Sequence, residues 1–353
     1  MNKNKFLLIH TLIDVGINNS NRDDVGEVKS AMVGGRVRQR RSSQSKKRAD
    51  RDAMVDIGGS AAYRTRKLPE RLFNDLVAQG MDNKTAIERL GNLFASGRTK
   101  GKLIDKYADV VKTKDGKGVK TQTLIFYSQN EYDLMLEFLK NEAEEMPDIQ
   151  RLLAGREKRF GGLIALFGRM MADHPSMNVD AAVQYSHGFS THEISMESDY
   201  FTALDDLGED ETGAAHLDQT SFTQSVLFTS VAVDLEQLQK NLPDAEKDDI
   251  VKLLVSFVEA HLTSTPEGKK NSFFSSSLPQ LAVVDVTNLP ISMHGAFEKP
   301  VSASLDGGYM ENSIAAFKEY RDQMIQRGYN VEQSIGGENY SLQAIKDFVA
   351  QIL

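Results

Sequence analysis

Three apolar runs, far apart in the chain, limit the folds available to it. FLLIHTLID begins at Phe6, VLFTSVAV spans Val226 to Val233 and LAVVDV spans Leu281 to Val286. Each has the length of a strand and is too continuously apolar for a strand wet on one face, so each belongs inside a sheet, VLFTSVAV centrally. Strands this distant share a sheet only if much of the intervening sequence forms insertions. A length of 353 residues accordingly suggests two domains, or one domain with a large insertion.

The opening MNKNKFLLIHTLID mimics a signal peptide, with lysines ahead of an apolar run. His10 and Asp14 interrupt it and no small-residue cleavage site follows, which makes it a buried first strand. No segment approaches the roughly 18 uninterrupted apolar residues of a membrane span. The absence of cysteine excludes disulfides and thiolate metal sites and makes the cytoplasm the simplest expectation.

Between the runs the pattern is mixed. Gly58 to Phe160 reads as helical and polar, with a short strand signal, LIFYS, leading into Ser128-Gln129-Asn130-Glu131. That is a capping box, and Tyr132, Met135, Leu136 and Leu139 continue it as an amphipathic helix. Gly101 to Lys120, rich in Lys, Asp and Gly, reads as a loop, and Ser186 to Thr220 as a long acidic hairpin. LPDAEKDDIVKLLVSFVEAHL has acidic residues in its first turn and Ile250, Leu253, Leu254 and Phe257 on one face. Two further helices are expected around Ser313 to Arg327 and Leu342 to Leu353. Strand, basic helix and, much later, strand, helix and strand are consistent with a split βαβ sheet of the ferredoxin or RNA-recognition type carrying large insertions.

The basic helix is the chemically marked segment. From Arg36 to Arg51 there are eight Lys or Arg and one Asp, in a chain of net charge -8. Ser42-Ser43-Gln44-Ser45 can start a helix, whose free amides and dipole suit a phosphate oxygen. If the helix starts near Ser43, Lys46 and Arg48 lie four residues before Asp50 and Asp52 and can pair with them. Lys47 and Arg51 have no such partner and share a face with Ser43. Upstream, Arg36, Arg38 and Arg40 alternate, so an extended strand would project them on one side. The two halves form a bent positive rail suited to a nucleic-acid backbone; a merely solvated charged turn and helix is the alternative.

Other chemistry is weakly signalled. Ser43-Gln44-Ser45-Lys46 matches S-x-x-K, but neither S-D-N nor K-T-G accompanies it. The seven histidines show no H-x-x-x-H or H-E-x-x-H spacing, and Val33-Gly34-Gly35 lacks a Walker lysine. Tyr200-Phe201 in the acidic hairpin would face opposite sides if extended, one free to anchor the hairpin and the other to touch a base.

NRDD at Asn21, VGG followed by arginines and SSQSKKR, FGRMM at Phe167, DYFTALDDL at Asp199, AAHLDQTSF at Ala214, VDLEQLQKNL at Val233 and LPISMHGAFEKPV at Leu289 occur in order along the chain. Together they resemble the CasC family, the backbone subunit of the type I-E CRISPR surveillance complex Cascade. The resemblance implies an α+β protein whose RNA-recognition-motif-like (ferredoxin-like) palm, 1–57 with 161–353, carries helical fingers at 58–160 and a β-hairpin thumb at 186–224. It implies a non-catalytic cytoplasmic subunit, with no cofactor or metal and no membrane, that polymerises head to tail along CRISPR RNA (crRNA) as a helical filament. The guide is held in segments and supports an R-loop with target DNA in antiviral defence. Other Cascade subunits and a recruited helicase-nuclease are the implied partners. By position, Arg36, Ser42, Ser43, Gln44, Lys47 and Arg51 would contact the guide backbone; Met170, after an RNA-binding Arg169, would lie against guide bases, Phe201 would sit at the displaced nucleotide, and Tyr200, also counted as RNA-binding, stands where an aromatic is expected. Lys46 departs from the pattern, which has an apolar residue there. An RNA-processing endoribonuclease and a stand-alone RNA-binding protein are the competing readings.

Overall fold

The computed structural model describes residues 5–57, 61–94, 121, 124–141, 149, 161–171, 175–203 and 216–353. It is an α+β protein with antiparallel sheets, and it divides into two compact units. The first contains Met1–Ile57, Gln184–Leu235 and Leu254–Leu353; the second contains Gly58–Val183 and Glu236–Leu253.

The first unit is built on a large sheet. Its strands are β1 (Phe6–Asp14), β2 (Ser30–Val33), β3 (Arg36–Arg41), β6 (Val183–Tyr185), β7 (Gly188–Ser190), β10 (Val226–Asp234), β11 (Leu281–Thr287) and β12 (Val331–Gly337). They lie in the order β12-β11-β1-β10-β7-β3-β2, with β6 also paired to β10. The three apolar runs are therefore neighbours: Leu7 sits between Val233 and Val286, and Ile9 between Val231 and Val284. All three are covered on both faces, which is why they lack the polar alternation of a half-wet strand. One face carries Phe6, Leu8, Leu12 and Phe228 against Phe297 and Phe317, the latter from a helix Met310–Gln326. Helices Ser43–Asp56 (α1), Lys247–Thr263 and Leu342–Val349 complete the expected set. The sequence missed β2, β6, β7 and β12. The first three are four residues or fewer, and β12 is a polar edge strand, so none carries a period long enough to read.

Strands β8 (Glu197–Ala203) and β9 (His216–Phe222) pair as a separate two-stranded ribbon. Pairing starts at Glu197, while Gly188–Ser190, expected in the hairpin, instead joins the large sheet between β10 and β3.

The second unit is mainly helical. Helices α2 (Leu68–Ala78), α3 (Asn83–Leu93) and α4 (Gln129–Lys140) enclose a core of Leu72, Leu76, Leu90, Tyr132, Met135 and Leu139 beside the hairpin of β4 (Ala62–Thr65) and β5 (Ile125–Ser128). The capping box forms: Ser128 Oγ accepts from the Glu131 amide at 3.2 Å, and Glu131 accepts from the Ser128 amide at 3.0 Å. The loop expected at Gly101 to Lys120 lies outside the described residues.

Candidate nucleic-acid interface

The basic stretch occupies β3 and α1. A tight turn precedes β3, with Gly34 and Gly35 at φ of 56° and 74°. A Cβ at Gly34 would meet the Glu298 carbonyl oxygen at 1.9 Å, so this hairpin tip admits only glycine there. The strand keeps its alternation, but the expected row of Arg36, Arg38 and Arg40 does not face solvent. Arg38 is instead fully buried and donates to the carbonyls of Ser190 (2.7 Å) and Phe297 (3.4 Å). Arg40 is half-buried. Arg36 is exposed and lies 3.5 Å from Glu193.

Next, Ser42 caps α1, its hydroxyl accepting from the Ser45 amide at 3.4 Å while its own amide donates to Asn21 Oδ1 at 2.8 Å. The helix then sorts its charges by face. Lys46 and Asp50 turn inward and pair at 2.7 Å. Lys46 Nζ also donates to the carbonyls of His261 (2.8 Å) and Ser264 (2.9 Å) and contacts Ser264 Oγ at 2.9 Å. Asp50 accepts from Tyr185 Oη at 2.6 Å, His261 Nδ1 at 2.8 Å and Ser264 Oγ at 2.5 Å. Burial disfavours the Asp50 charge, but Lys46, His261 and these hydrogen bonds outweigh it and hold the carboxyl far below its ordinary range. Burial lowers His261, keeping it neutral and able to donate, and burial with the Asp50 field raises the Tyr185 phenol. The departure at Lys46 is thus matched by a complete internal partner set.

Beside the inward face lie Ser43, Lys47 and Arg51, one helical turn apart and each half-buried, while Gln44, Arg48 and Asp52 are exposed. Neither Lys47 nor Arg51 is as isolated as the sequence suggests. Lys47 Nζ stands 5.3 Å from the centroid of the Tyr185 ring, and Arg51 Nη2 lies 3.5 Å from Asp52 Oδ1. Arg48 pairs with Asp52 at 3.4 Å, as the spacing predicts. The amides of Ser43 and Gln44 find no acceptor among the described residues, as expected of a first turn. Tyr185 is the residue that sequence reasoning missed; it lies on a three-residue strand and no local pattern marks it.

Two other places hold the remaining candidates. In the second unit, Arg169 is turned inward rather than presented. Its Nη1 bonds Glu131 Oε1 at 2.7 Å and its Nε bonds the Met177 carbonyl at 2.8 Å. Met170, the next residue, is 85% exposed. On the ribbon, Tyr200 and Phe201 are 64% and 43% exposed, so neither serves as an anchor. Among the described residues no group of three or more His, Cys, Asp or Glu side chains could hold a metal ion, and no helix is long and apolar enough to cross a membrane.

Compared with known families, the chain matches the CT1975-like protein family, Cas_CT1975, over residues 7–346. It belongs to that family. A solved chain of a "CRISPR RNA-guided surveillance complex, pre-nicking" is similar to this CT1975-like protein at 27% identity and a TM-score of 0.84, covering 99% of this chain and 100% of the other. A second, from a "CRISPR RNA-guided surveillance complex", shares the fold at 23% identity and a TM-score of 0.72, again over 99% and 100% of the two chains. Among curated proteins none matches.

Proposed function

We propose that this CT1975-like protein is the non-catalytic, crRNA-binding backbone subunit of a type I-E Cascade complex, of the CasC kind. The observation that carries the reading is the division of α1: one face is consumed by an internal network, and the half-buried row beside it carries Lys47 and Arg51 below the free amides of the first turn. Such a row suits a line of backbone phosphates, and the 27% identical surveillance-complex chain makes crRNA the expected nucleic acid. An RNA-recognition-like palm is supported by the strand order β11-β1-β10-β6, which is the fourth, first, third and second strand of a split βαβ unit. The second unit would serve as fingers and the ribbon as thumb.

In this reading Arg36, Ser43, Gln44, Lys47 and Arg51 meet the guide backbone. Ser42 acts through the cap, and Arg169 acts by fixing the backbone that presents Met170. Tyr200 or Phe201 stacks at a displaced base. Copies add head to tail along the guide, which then reads target DNA by pairing, with other subunits and a recruited helicase-nuclease completing the system. An RNA-cleaving reading needs an exposed acid-base group beside the basic face. His261 and Asp50, behind α1, are fully buried and bonded to each other, which supports a binding role.

The test is binding to single-stranded RNA across a salt series. Lys47→Ala with Arg51→Ala should weaken binding and flatten the log-log salt slope by about 0.7 per lost phosphate contact. An unchanged slope would remove α1 from the interface. Phe201→Ala should cost about 1 to 3 kcal/mol of binding if its ring stacks on a base.

A further inference from the structure

We propose that Arg41 is an unfilled phosphate ligand: its guanidinium takes an oxygen of the nucleic-acid backbone that runs over the start of α1. The inference rests on the RNA-binding reading above and deepens it, since Arg41 is absent from the set of contacts that the sequence suggested.

Arg41 ends β3, one residue before the Ser42 cap, and is only 5% exposed. Its Nε is buried without an acceptor, and no hydrogen bond or ion pair engages the rest of its guanidinium among the described residues. The other two buried arginines among the described residues are engaged: Arg38, whose Nε also lacks an acceptor, donates to two carbonyls through its other nitrogens, and Arg169 donates to Glu131 and a carbonyl. Buried donors are normally paired, so an orphaned guanidinium marks a missing partner.

Among the described residues, the cluster around Asp50 does not supply that partner. The carboxylate whose field reaches Arg41 is Asp50. An ionised carboxylate offers about four acceptor positions, and Asp50 already accepts from Lys46, Ser264, Tyr185 and His261. The charges do not balance either. Lys46 and Arg41 are both cationic and close enough to repel, against one carboxylate and a histidine that burial keeps neutral. Burial pushes Arg41 down to about 10, still charged at neutral pH, with the Asp50 field opposing the shift. Among the described residues this cluster therefore holds one positive charge in excess, which water can solvate but only an anion can neutralise. Phosphate fits best, because its oxygens match the planar guanidinium fork. The neighbouring amides of Ser43 and Gln44, at the positive end of α1, favour the same charge.

The experiment pairs RNA-free thermal unfolding with RNA affinity across salt, for the wild type, Arg41→Leu and Arg41→Gln. Both variants should unfold no earlier than the wild type without RNA, since they remove an unpaired buried charge. Both should bind single-stranded RNA about tenfold more weakly, with the salt slope reduced by about 0.7. An earlier unfolding with an unchanged slope would overturn the proposal and make Arg41 an internal structural cation. Inorganic phosphate, compared with chloride at equal ionic strength, separates the sources. Stabilisation of the wild type alone, together with the lost slope, supports a backbone phosphate. Stabilisation with no change in RNA slope overturns the RNA assignment in favour of a small free anion. Should the wild type bind no RNA at all, the proposed function fails, while the phosphate arm still reports on Arg41.

Discussion

Arg169 in the second unit and Lys46 in the first solve the same problem differently. Each is a buried cation, followed in sequence by the exposed Met170 in one case and the half-buried Lys47 in the other. Arg169 is matched by a carboxylate with a second structural duty: Glu131 completes the capping box through one oxygen and holds Arg169 through the other. In the first unit a single carboxylate, Asp50, is shared among four donors, and Arg41 is left over. A closed charge pair is scaffolding, whereas an over-subscribed one leaves a donor for something outside the chain.

The largest expected effects would break this contrast. Arg169→Met leaves Glu131 buried without its cation and should cost about 3 to 5 kcal/mol in urea unfolding. Lys46→Met should cost less, about 1 to 3 kcal/mol for the His261 and Ser264 carbonyls that lose a donor, because Asp50 keeps Tyr185, His261 and Ser264 and Arg41 then balances its charge. Equal losses for the two substitutions would show that the α1 cluster is as closed as the Glu131 pair, and the surplus charge at Arg41 would lose its basis.

Acid should separate the two units by a smaller amount. His10, His187, His192, His261 and His294, all in the first unit, are each held below the ordinary histidine value, with burial the first cause in every case. The sequence places only His174 in the second unit. With folded values lowered, the unfolded chain takes up protons first, so stability is present above pH 6.5 and is lost as the pH falls toward 4. For His10, lowered to about 4, the loss by pH 5 is about 2 kcal/mol. Asp50 adds a further loss only below about pH 4, where its unfolded carboxyl protonates. Hydrogen exchange, corrected for intrinsic rates, should show the large sheet losing protection between pH 7 and 5 while α2, α3 and α4 keep theirs. Parallel loss in both units would contradict the assignment.

How much of this was legible in the sequence depended on whether the cause was local. The strands β1, β10 and β11 announced themselves because burial on both faces leaves an unbroken apolar run. The α1 cap, the Lys46 and Asp50 pairing and the capping box are written within four residues of themselves, and all three form. Arg38 is held inside by the carbonyls of Ser190 and Phe297, 152 and 259 positions away. Tyr185, beneath Lys47, and the saturation of Asp50 are likewise long-range facts. Within the candidate site, then, sequence located the helix and its face, and tertiary pairing decided which cations stay available.

The smallest effect concerns the two caps. Ser128 is held reciprocally, with contacts of 3.2 and 3.0 Å, whereas the Ser42 hydroxyl reaches the Ser45 amide only at 3.4 Å. Ser128→Ala should therefore cost more stability, about 1 to 2 kcal/mol against about 0.5 to 1 kcal/mol for Ser42→Ala. Binding should rank them the other way. Loss of the Ser42 cap loosens the turn that carries the Ser43 and Gln44 amides and displaces it from Arg41 and Lys47, so Ser42→Ala should weaken RNA binding although little stability is lost. Ser128→Ala, acting on a closed scaffold, should leave RNA affinity near that of the wild type. If both substitutions changed affinity only in proportion to stability, the start of α1 would be a support like the capping box rather than the place where a phosphate sits.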